Sequence, residues 1–398
     1  MGLRGTNQEF GRPYNRRIVL ETIRLHGPIT RADIARRVGL TIQTVSTISR
    51  ELEAQGFITQ RREEPKGRGY PGTSLAIDPE GGFAVGLHVT PRGLEGALIN
   101  IAGEIVARDK RDLPGIDPET AFREIETLVK ALSAARPGGR ILGVGMAMPG
   151  PFGVETMSFV GPTTLEGWKG VPVRESLATA TALPAFIEVD LAAAAHGERL
   201  YGAGRDFRDF YYLYFGVGLG GCMVHNGVAL RGAWGNAGEI GHMPVVPGGD
   251  PCPCGNRGCL ERYVSLEAYE RRTRAVGETA WLAEVVPIVR SAIVTIENLF
   301  DPQTIIVGGL ARQRLLRQIL AAAAPLPNSI AARNDRQGER VLVSAAGEDA
   351  VLRGAAALAV SGVLSPRFGV MFTQESARTD RDPIMRDSAG ARRKAVAA

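Results

Sequence analysis

The pattern of apolar and polar positions changes near residue 80 of the chain. Before it, apolar residues recur every three or four positions, as in "NRRIVLETIRLHG" and "IQTVSTISRELEAQG", which predicts short amphipathic helices. From Gly82 onward, strand-length apolar runs separated by turns alternate with longer helical segments such as "ETAFREIETLVKALSAA". The pattern therefore predicts a small helical domain followed by a large α/β domain.

Residues 1–77 are predicted to form a winged helix-turn-helix domain. A Gly-Pro pair at positions 27 and 28 ends the first helix, and Thr30 with Asp33 resembles a capping box that begins the second. Gly39 follows as a tight turn before the third helix. Beyond that helix, "GFITQRREEPKGRGYPGTSLAID" predicts a strand, a basic turn and a returning strand, which together form a wing.

The third helix is predicted to be the recognition helix. Val45, Ile48 and Leu52 recur at helical spacing as its buried stripe, so short polar residues occupy the opposite face. The residues predicted to contact DNA are Thr41, Gln43, Thr44, Thr47 and Arg50 of the helix and Arg61, Arg62, Lys66 and Arg68 of the wing. The alternative is a helical hairpin with a solvated basic loop, but three helices, a turn and a wing in this order favour DNA binding.

The charge distribution supports the same division. Residues 1–75 contain 13 Lys and Arg against 7 Asp and Glu, whereas the net charge of all 398 residues is only +5. An excess of positive charge in one small domain is typical of a DNA-binding domain, although basic tails produce the same asymmetry. The first thirty residues have no apolar signal core, and no run approaches 18 uncharged apolar residues, so a cytoplasmic protein without a membrane partner is expected.

The large domain, residues 78–365, contains a pseudo-repeat. Segments that begin at Gly82 and Phe210 each predict strand, turn, strand, turn and strand, and helical sequence follows each of them. This pattern predicts two α/β lobes with a cleft between them, a boundary near residue 190, and a C-terminal helix that returns to the first lobe. Residues 366–398 lack periodicity and are predicted to be a disordered tail.

One loop of the second lobe concentrates metal-binding residue types. His242, Cys252, Cys254 and Cys259 supply one imidazole and three thiolates, the ligand set of a closed, tetrahedral, structural zinc site. Such crowding in an intracellular chain suggests a metal more than a disulfide. The alternative is three buried free thiols beside a core histidine.

A glycine-rich turn precedes this loop. In "FGVGLGG", Gly216, Gly218, Gly220 and Gly221 leave the backbone amides accessible to an anion. The same glycines are also compatible with a hairpin that only needs a sharp turn.

These motifs together resemble one known family. "EIGH" followed by "CPCGNRGCLE", with "GVGMAMPGP", "LEGWKGVP", "VDLAAAAHGE" and "DPQTIIVGGL", is similar to the ROK family, which contains bacterial sugar kinases and sugar-responsive repressors. The resemblance extends from about Gly82 to Val363, and a winged helix in front is typical of the repressor branch. It implies an α/β fold with a duplicated ribonuclease-H-like (actin-like ATPase) domain of the sugar-kinase type, with a zinc loop beside the sugar site.

The resemblance also implies roles for individual residues. Glu239, His242 and Glu261 would contact sugar hydroxyls, and Asp190 matches the general base of the kinases. The kinases commonly have Asn at the positions of Val189 and Thr164, so Thr164 is a candidate ligand contact and the identity of the sugar does not transfer. The residues that match nucleotide-binding glycines, interpreted as vestigial, are Gly216, Gly218, Gly220, Gly221, Gly308 and Gly309.

The turn "HVTPR" from His88 to Arg92 departs from the family pattern. ROK kinases have an Asp-x-Gly-Gly-Thr-type turn here, which holds magnesium and the ATP phosphates. His88 is not a hard oxygen ligand, and Pro91 removes a backbone donor while adding bulk. We therefore predict a sugar-responsive repressor without kinase activity, which binds operator DNA as a homodimer or dimer of dimers. The alternatives are a sugar kinase with an attached DNA-binding domain and a DNA-binding protein that senses no sugar.

Overall fold

The computed structural model describes residues 11–62, 73–150, 165, 167–168, 170–233, 236–331, 333 and 338–364. These residues form ten α-helices and thirteen β-strands in three sheets. Several positions singled out in the sequence lie outside the described residues: Thr164, Lys66, Arg68, the side chain of Arg62 and the tail 366–398.

The N-terminal domain is a winged helix-turn-helix, as predicted. Its elements are α1 (Gly11–His26), β1 (Ile29–Thr30), α2 (Arg31–Val38), α3 (Ile42–Ala54), β2 (Ile58–Arg62) and β3 (Thr73–Ile77). The Thr30 hydroxyl accepts a hydrogen bond from the Asp33 amide, and Gly39 ends α2 with φ 71°, so the predicted helix start and turn are confirmed. The strands form an antiparallel sheet in the order β1-β3-β2.

The large domain is built on two five-stranded sheets. The first part contains β4 (Phe83–Thr90), β5 (Gly93–Asn100), β6 (Ile105–Asp112), α4 (Pro118–Ala134), β7 (Ile141–Met148), α5 (Val173–Thr181) and β8 (Ala185–Val189). Then follow α6 (Asp190–Tyr201), β9 (Phe210–Phe215), β10 (Leu219–His225), β11 (Val228–Ala229), α7 (Leu266–Val276), α8 (Glu278–Phe300), β12 (Thr304–Gly309), α9 (Gln313–Ala323), β13 (Val341–Val343) and α10 (Ala350–Leu364). The strand orders are β6-β5-β4-β7-β8 and β11-β10-β9-β12-β13, so the predicted repeat is present.

The second sheet is covered by an apolar helix, α8. By length and composition, α8 is apolar enough to cross a membrane. In this fold Trp281, Val285 and Ile293 of α8 are buried in the core beneath β9 and β12. The helix also contains a fully buried carboxylate, Glu297, which Arg340 neutralises through hydrogen bonds of 3.0 and 2.6 Å.

Helices α6 and α10 pack against each other through small residues. A Cβ atom at Gly354 of α10 would lie 1.9 Å from the carbonyl oxygen of Ala193 in α6. On the first sheet, a Cβ at Gly145 of β7 would lie 1.8 Å from the carbonyl oxygen of Ala355. Only glycine permits these approaches, so the two helices and the first sheet form one tightly packed unit.

The winged domain and the large domain share one hydrophobic cluster. Ile18 and Val19 of α1 belong to the same buried cluster as Ile99 of β5 and Val360 and Leu364 of α10. Burial of apolar side chains from both sides stabilises the docking of the DNA-binding domain onto the first sheet.

A buried ionic cluster accompanies this contact. Arg24 of α1 donates a hydrogen bond of 3.1 Å to Glu21, and Arg199 of α6 lies 3.7 Å from the same carboxylate. Burial by itself would raise the pKa of Glu21, but the charges of Arg24 and Arg199 outweigh burial and hold that pKa below its ordinary value. Glu21 is therefore ionised and connects α1 to α6.

Two histidines are buried in the first lobe. His196 of α6 pairs with the Ser361 hydroxyl of α10 at 2.9 Å, whereas the Nε2 atom of His88 in β4 has no hydrogen-bond partner among the described residues. Burial lowers the pKa of His88 to about 4 and that of His196 to about 3. Both imidazoles are neutral at physiological pH.

We predict that Glu21→Gln destabilises the protein by about 3 kcal/mol, because it leaves the buried Arg24 and the half-buried Arg199 without their counter-charge. Urea-induced unfolding at pH 7 measures this loss. Glu126→Gln is the matched control: Glu126 forms an exposed pair with Lys130 on α4, and its loss should cost less than about 1 kcal/mol. If both substitutions lower the free energy of unfolding equally, the buried cluster stabilises the protein no more than an exposed ion pair does.

We also predict an acid-sensitive stability that depends on His88. The unfolded chain takes up the His88 proton near pH 6.5 and the folded protein only at about pH 4, so stability is lost as pH falls between these values. From pH 7 to pH 5 the loss through this group is about 2 kcal/mol. In the His88→Leu variant this contribution is absent, so the urea midpoint should fall less between pH 7 and pH 5 than it does in the wild type. An equal fall of the urea midpoint in the wild type and in His88→Leu would contradict the prediction.

Candidate functional site

The predicted sugar-contacting residues come together beside the β9-β10 hairpin. Asp190 is the first residue of α6, Glu239 directly precedes a short 3-10 helix that contains His242, and Glu261 lies in a second short helix, Leu260–Arg262. Gly241 lies so close to β10 that a Cβ there would be 2.0 Å from the Leu219 carbonyl oxygen. Tight backbone packing therefore fixes these side chains at one edge of the second sheet.

His242 lies between the two glutamates. Its Nε2 atom is 3.9 Å from Glu239 Oε2, and its Nδ1 atom is 3.6 Å from Glu261 Oε1. Burial raises the pKa of Glu239, and the negative charge of Glu261 raises it further while His242 opposes both effects. The cluster offers several acceptor oxygens and a ring nitrogen, a combination that matches the hydroxyl groups of a sugar.

Asp190 faces the same cluster from the end of α6. One of its oxygens accepts a hydrogen bond of 2.8 Å from the Leu191 amide. Burial raises the pKa of Asp190 to about 6, the Leu191 amide and the Tyr214 hydroxyl oppose the shift, and the charge of Glu239 adds to it. The repulsion between Asp190 and Glu239 shows that the start of α6 lies near the loop that carries Glu239.

The four predicted metal ligands form one compact cluster. The ligand atoms of His242, Cys252, Cys254 and Cys259 all lie within 4.8 Å of one another. Cys252 Sγ is 3.5 Å from His242 Nδ1, and Cys254 Sγ is 3.7 Å from Cys259 Sγ. Ligands of a tetrahedral zinc site lie about 3.5 to 3.8 Å apart, so these residues could hold a metal without rearrangement.

The loop that carries the thiols is held by its own backbone. The Cys252 amide donates to the Asn256 carbonyl at 2.8 Å, and the Gly258 amide donates to the Asp250 carbonyl at 2.8 Å. Gly258 has φ 73°, and a Cβ there would lie 1.7 Å from the Val246 carbonyl oxygen. Both the left-handed backbone conformation and the close approach to Val246 therefore require glycine at position 258.

The glycines of the β9-β10 hairpin pack closely against side chains. A Cβ at Gly218 would lie 2.9 Å from Glu261 Oε2, and one at Gly220 would lie 2.7 Å from the Leu191 side chain. Gly216 lies against the Tyr214 ring and Gly221 against the Tyr211 hydroxyl. All four glycines thus lie in close contact with side chains, and their predicted match to a nucleotide site stays a prediction.

The second glycine pair lies next to this hairpin. Gly308 and Gly309 end β12, and Gly309 pairs in register with Phe215 of β9. Gly309 has φ 117°, and the Leu310 amide donates to the Phe215 carbonyl at 3.0 Å. The structure thus brings both glycine-rich segments to the same end of the second sheet.

The turn from His88 to Arg92 is closed by local hydrogen bonds. The Arg92 amide donates to the Thr90 hydroxyl at 3.2 Å, and the Pro91 carbonyl accepts from the Gly115 amide at 3.0 Å. The Arg92 side chain is exposed and His88 is buried and neutral. Position 88 therefore carries a neutral imidazole and no carboxylate that could hold magnesium.

The recognition helix presents its predicted polar face to solvent. Gln43, Thr47 and Arg50 are exposed, and Arg61 is exposed on β2 of the wing. The Thr41 hydroxyl accepts from the Thr44 amide at 3.1 Å, so these two threonines serve the helix cap as well as the exposed surface.

Two residues beside the candidate sites, Ile42 and Tyr214, were not predicted from the sequence. Ile42, the first residue of α3, is 57% exposed beside the predicted DNA-contacting residues. Tyr214 lies against Asp190 from the end of β9. The signals were present, an apolar residue on a polar helix face and an aromatic residue at a strand end, but neither is specific without the fold.

Comparison with known proteins agrees with both domains. The ROK family profile matches residues 85–361, and the MarR family profile matches residues 17–68. The xylose repressor of Bacillus subtilis is 27% identical over 264 residues, which cover 66% of this chain and 68% of that protein. A glucokinase of Halalkalibacterium halodurans is 34% identical over 193 residues, which cover 47% of this chain and 58% of the enzyme.

A solved structure reproduces the arrangement of the whole molecule. It is a ROK family transcriptional regulator, a homologue of the E. coli MLC protein, and it covers 92% of this chain and 99% of its own with a TM-score of 0.68 and 24% identity. At this identity the match concerns the fold. The two profiles, the winged helix and the duplicated α/β domain lead to one assignment: this chain belongs to the ROK family and has a MarR-type DNA-binding domain at its N-terminus.

Proposed function

We propose that this protein is a sugar-responsive transcriptional repressor that leaves its operator when a sugar binds. The observation that carries this proposal is the occurrence, in one chain, of an exposed recognition helix and of the cluster formed by Asp190, Glu239, His242 and Glu261. Relatives named xylose repressor and N-acetylglucosamine repressor support regulation over catalysis. The sugar itself stays open because Val189 and Thr164 differ from the kinase pattern.

The winged domain would read operator DNA. Gln43, Thr47 and Arg50 are placed for base edges in the major groove, and Arg61 with the wing is placed for neighbouring phosphates. A homodimer, or a dimer of such dimers, would present two of these domains to the halves of a palindromic site. Such a protein acts where the DNA is, in the cytoplasm.

The sugar would bind between the carboxylates and the imidazole. Asp190, Glu239 and Glu261 accept hydrogen bonds from hydroxyl groups, and the mutual repulsion of the carboxylates weakens when those donors arrive. Zinc fits the residues His242, Cys252, Cys254 and Cys259, and when bound it supplies a fixed orientation of the imidazole. His242 Nδ1 faces the thiols, which leaves Nε2 for the sugar.

Helix α6 is suited to transmit the effect of sugar binding from the sugar site to the DNA-binding domain. It begins at Asp190 in the sugar site and, about 18 Å further on, ends at the junction where Arg199 meets Glu21 of α1. Because α6 packs tightly on α10, it moves as a unit when the cleft closes. To switch occupancy from 1:99 to 99:1, the sugar must prefer the closed state by about 5.5 kcal/mol.

A sugar kinase with an attached DNA-binding domain is the second candidate. It is favoured by the similarity to a glucokinase and by Asp190, which occupies the position of the kinase base. Against it stand the loss of the magnesium carboxylate at His88 and the loss of a backbone donor at Pro91. Sugar-dependent ADP formation by the purified protein, abolished by Asp190→Asn, would establish the kinase and overturn our proposal of a non-enzymatic sensor.

We predict that a panel of sugars contains one that raises the thermal stability of the full chain and releases a selected operator duplex. At 100 times its dissociation constant, this sugar should add about 2.7 kcal/mol to the unfolding free energy. Asp190→Asn should weaken sugar binding by about tenfold to a hundredfold, because an ionised acceptor is lost, and should leave operator binding intact.

A variant of the recognition helix tests operator binding separately from sugar binding. Arg50→Ala should weaken operator binding, measured by fluorescence anisotropy, and keep the sugar-induced thermal shift, because Arg50 is exposed on α3. A protein whose operator complex ignores every sugar that it binds would contradict the regulatory mechanism.

We further predict that the purified chain contains about one zinc ion and that Cys254→Ser removes it. Metal content by mass spectrometry and thermal unfolding with and without a chelator measure the effect. Cys222→Ala is the control, because Cys222 is buried in β10 outside the ligand cluster. Unchanged zinc content in Cys254→Ser would exclude the four-ligand site.

A further inference from the structure

A cavity of about 380 Å³ lies where the winged domain meets the ROK domain. Thr22, Leu25 and His26 of α1 and Arg37 and Val38 of α2 line one side. The other side is formed by residues 199 and 204–208 with residues 226–227 of the β10-β11 turn. The volume is within the range of about 300 to 1,000 Å³ that is typical of small-molecule sites. The cavity is separate from the sugar site, whose four residues do not line it.

The lining is strongly basic. Four of its residues are arginines, namely Arg37, Arg199, Arg205 and Arg208, whereas Asp206 is the one carboxylate in the lining. Glu21, outside the lining, neutralises Arg199. The remaining three arginines thus leave an excess of positive charge in a concave surface, where field lines are focused.

Local contacts hold two of these guanidinium groups in place. Arg205 Nη2 donates to the carbonyl oxygens of Arg24 and Leu25 at 3.4 and 3.2 Å, across the domain junction. Arg208 Nε donates to the Asn226 side chain, and Asp209 lies 3.9 Å away. In contrast, Arg37 is exposed and has no ion-pair or hydrogen-bond partner among the described residues.

Cationic groups of the two domains face each other here. The pKa of His26 is lowered by burial and then by the charges of Arg37 and Arg205, one from each domain, while Glu21 and Asp206 oppose the shift. Two like charges that act on one imidazole across a junction repel each other. An anion bound between these charges would be attracted by both of them.

We propose that this cavity binds a small phosphorylated molecule that bridges the DNA-binding domain and the ROK domain. Guanidinium groups bind phosphate oxygens in bidentate geometry, and Arg37, Arg205 and Arg208 supply them from both sides. Leu25, Val38 and Phe207 provide apolar contacts, and Thr22 and Asn226 provide partners for hydroxyl groups, so a sugar phosphate suits the cavity.

The bound anion would act as a second input to the regulator. By neutralising Arg37 and Arg205, it stabilises the docked arrangement of the two domains and therefore changes the orientation available to the recognition helices. This inference goes beyond the proposed sugar response, since it involves a different site and a different class of ligand.

A DNA phosphate is the competing ligand for Arg37. None of the residues of α3 lines the cavity, and neither does Arg61 of the wing. A concave site with an apolar floor between two domains fits a small molecule better than the convex backbone of a duplex.

The test is isothermal titration of the full-length protein with glucose 6-phosphate, inorganic phosphate and glucose at constant ionic strength. We expect saturable binding of both phosphates. Arg37→Gln should weaken their affinity by about tenfold, which corresponds to about 1.4 kcal/mol. Arg36→Gln is the matched control. Arg36 is next to Arg37 in the chain, but its side chain is 78% exposed, pairs with Asp33 at 3.2 Å and does not line the cavity.

Three results would overturn the proposal. The first is absence of phosphate binding to the wild type at millimolar concentration. The second is binding that Asp190→Asn abolishes and Arg37→Gln leaves unchanged, which would assign the ligand to the sugar site. The third is an Arg37→Gln variant with unaltered phosphate affinity but a reduced salt dependence of duplex binding, which would make Arg37 a DNA backbone contact. Loss of binding in Arg37→Gln and retention in Asp190→Asn support the proposal, whatever the outcome of the operator experiments.

Discussion

The close packing of α6 against α10 and the first sheet is the contact on which the rest of the molecule depends. Glycines at positions 145 and 354 let backbone meet backbone, so neither helix has room to shift independently. This unit carries Asp190 at one end of α6 and Arg199 near the other. Through α10, it also supplies the apolar surface on which α1 of the winged domain docks. The sugar site and the DNA-binding domain are thus attached to the same rigid element.

Charge determines what the two ends of this unit can do. At the proposed sugar site, burial raises the pKa values of both Asp190 and Glu239, and a neighbouring glutamate adds to each shift, Glu239 for Asp190 and Glu261 for Glu239. At the junction, Glu21 compensates the buried Arg24 and the half-buried Arg199, and further arginines remain around a cavity. A negative cluster that attracts hydroxyl donors and a positive cavity that attracts anions therefore lie on one structural path. If both proposals hold, the protein would respond to two chemically distinct ligands.

Departures from the kinase pattern acquire a physical meaning in the fold. The strands around the turn at His88 are fully used by the core, with β4 paired to β5 and β7 over most of its length. A kinase turn in this place requires a charged group, and the buried imidazole is neutral. The hairpin glycines Gly218 and Gly220 likewise lie close to the side chains of Glu261 and Leu191. These features are consistent with the proposed role as a sensor and not as a kinase.

The sequence alone determined whatever depends on neighbours along the chain. Caps at Thr30 and Thr41 and the metal-ligand loop could be predicted because their partners lie within a few residues of one another or in one loop, and the repeat of apolar runs was sufficient for the two sheets. The tertiary structure decided the contacts between distant segments. Among them are Asp190 beside Glu239, Tyr214 beside Asp190, and Glu21 with Arg199. The arginine-lined cavity also belongs here, since its two sides come from different domains. No local pattern encodes these distances, because they follow from how glycine-permitted packing brings whole elements together.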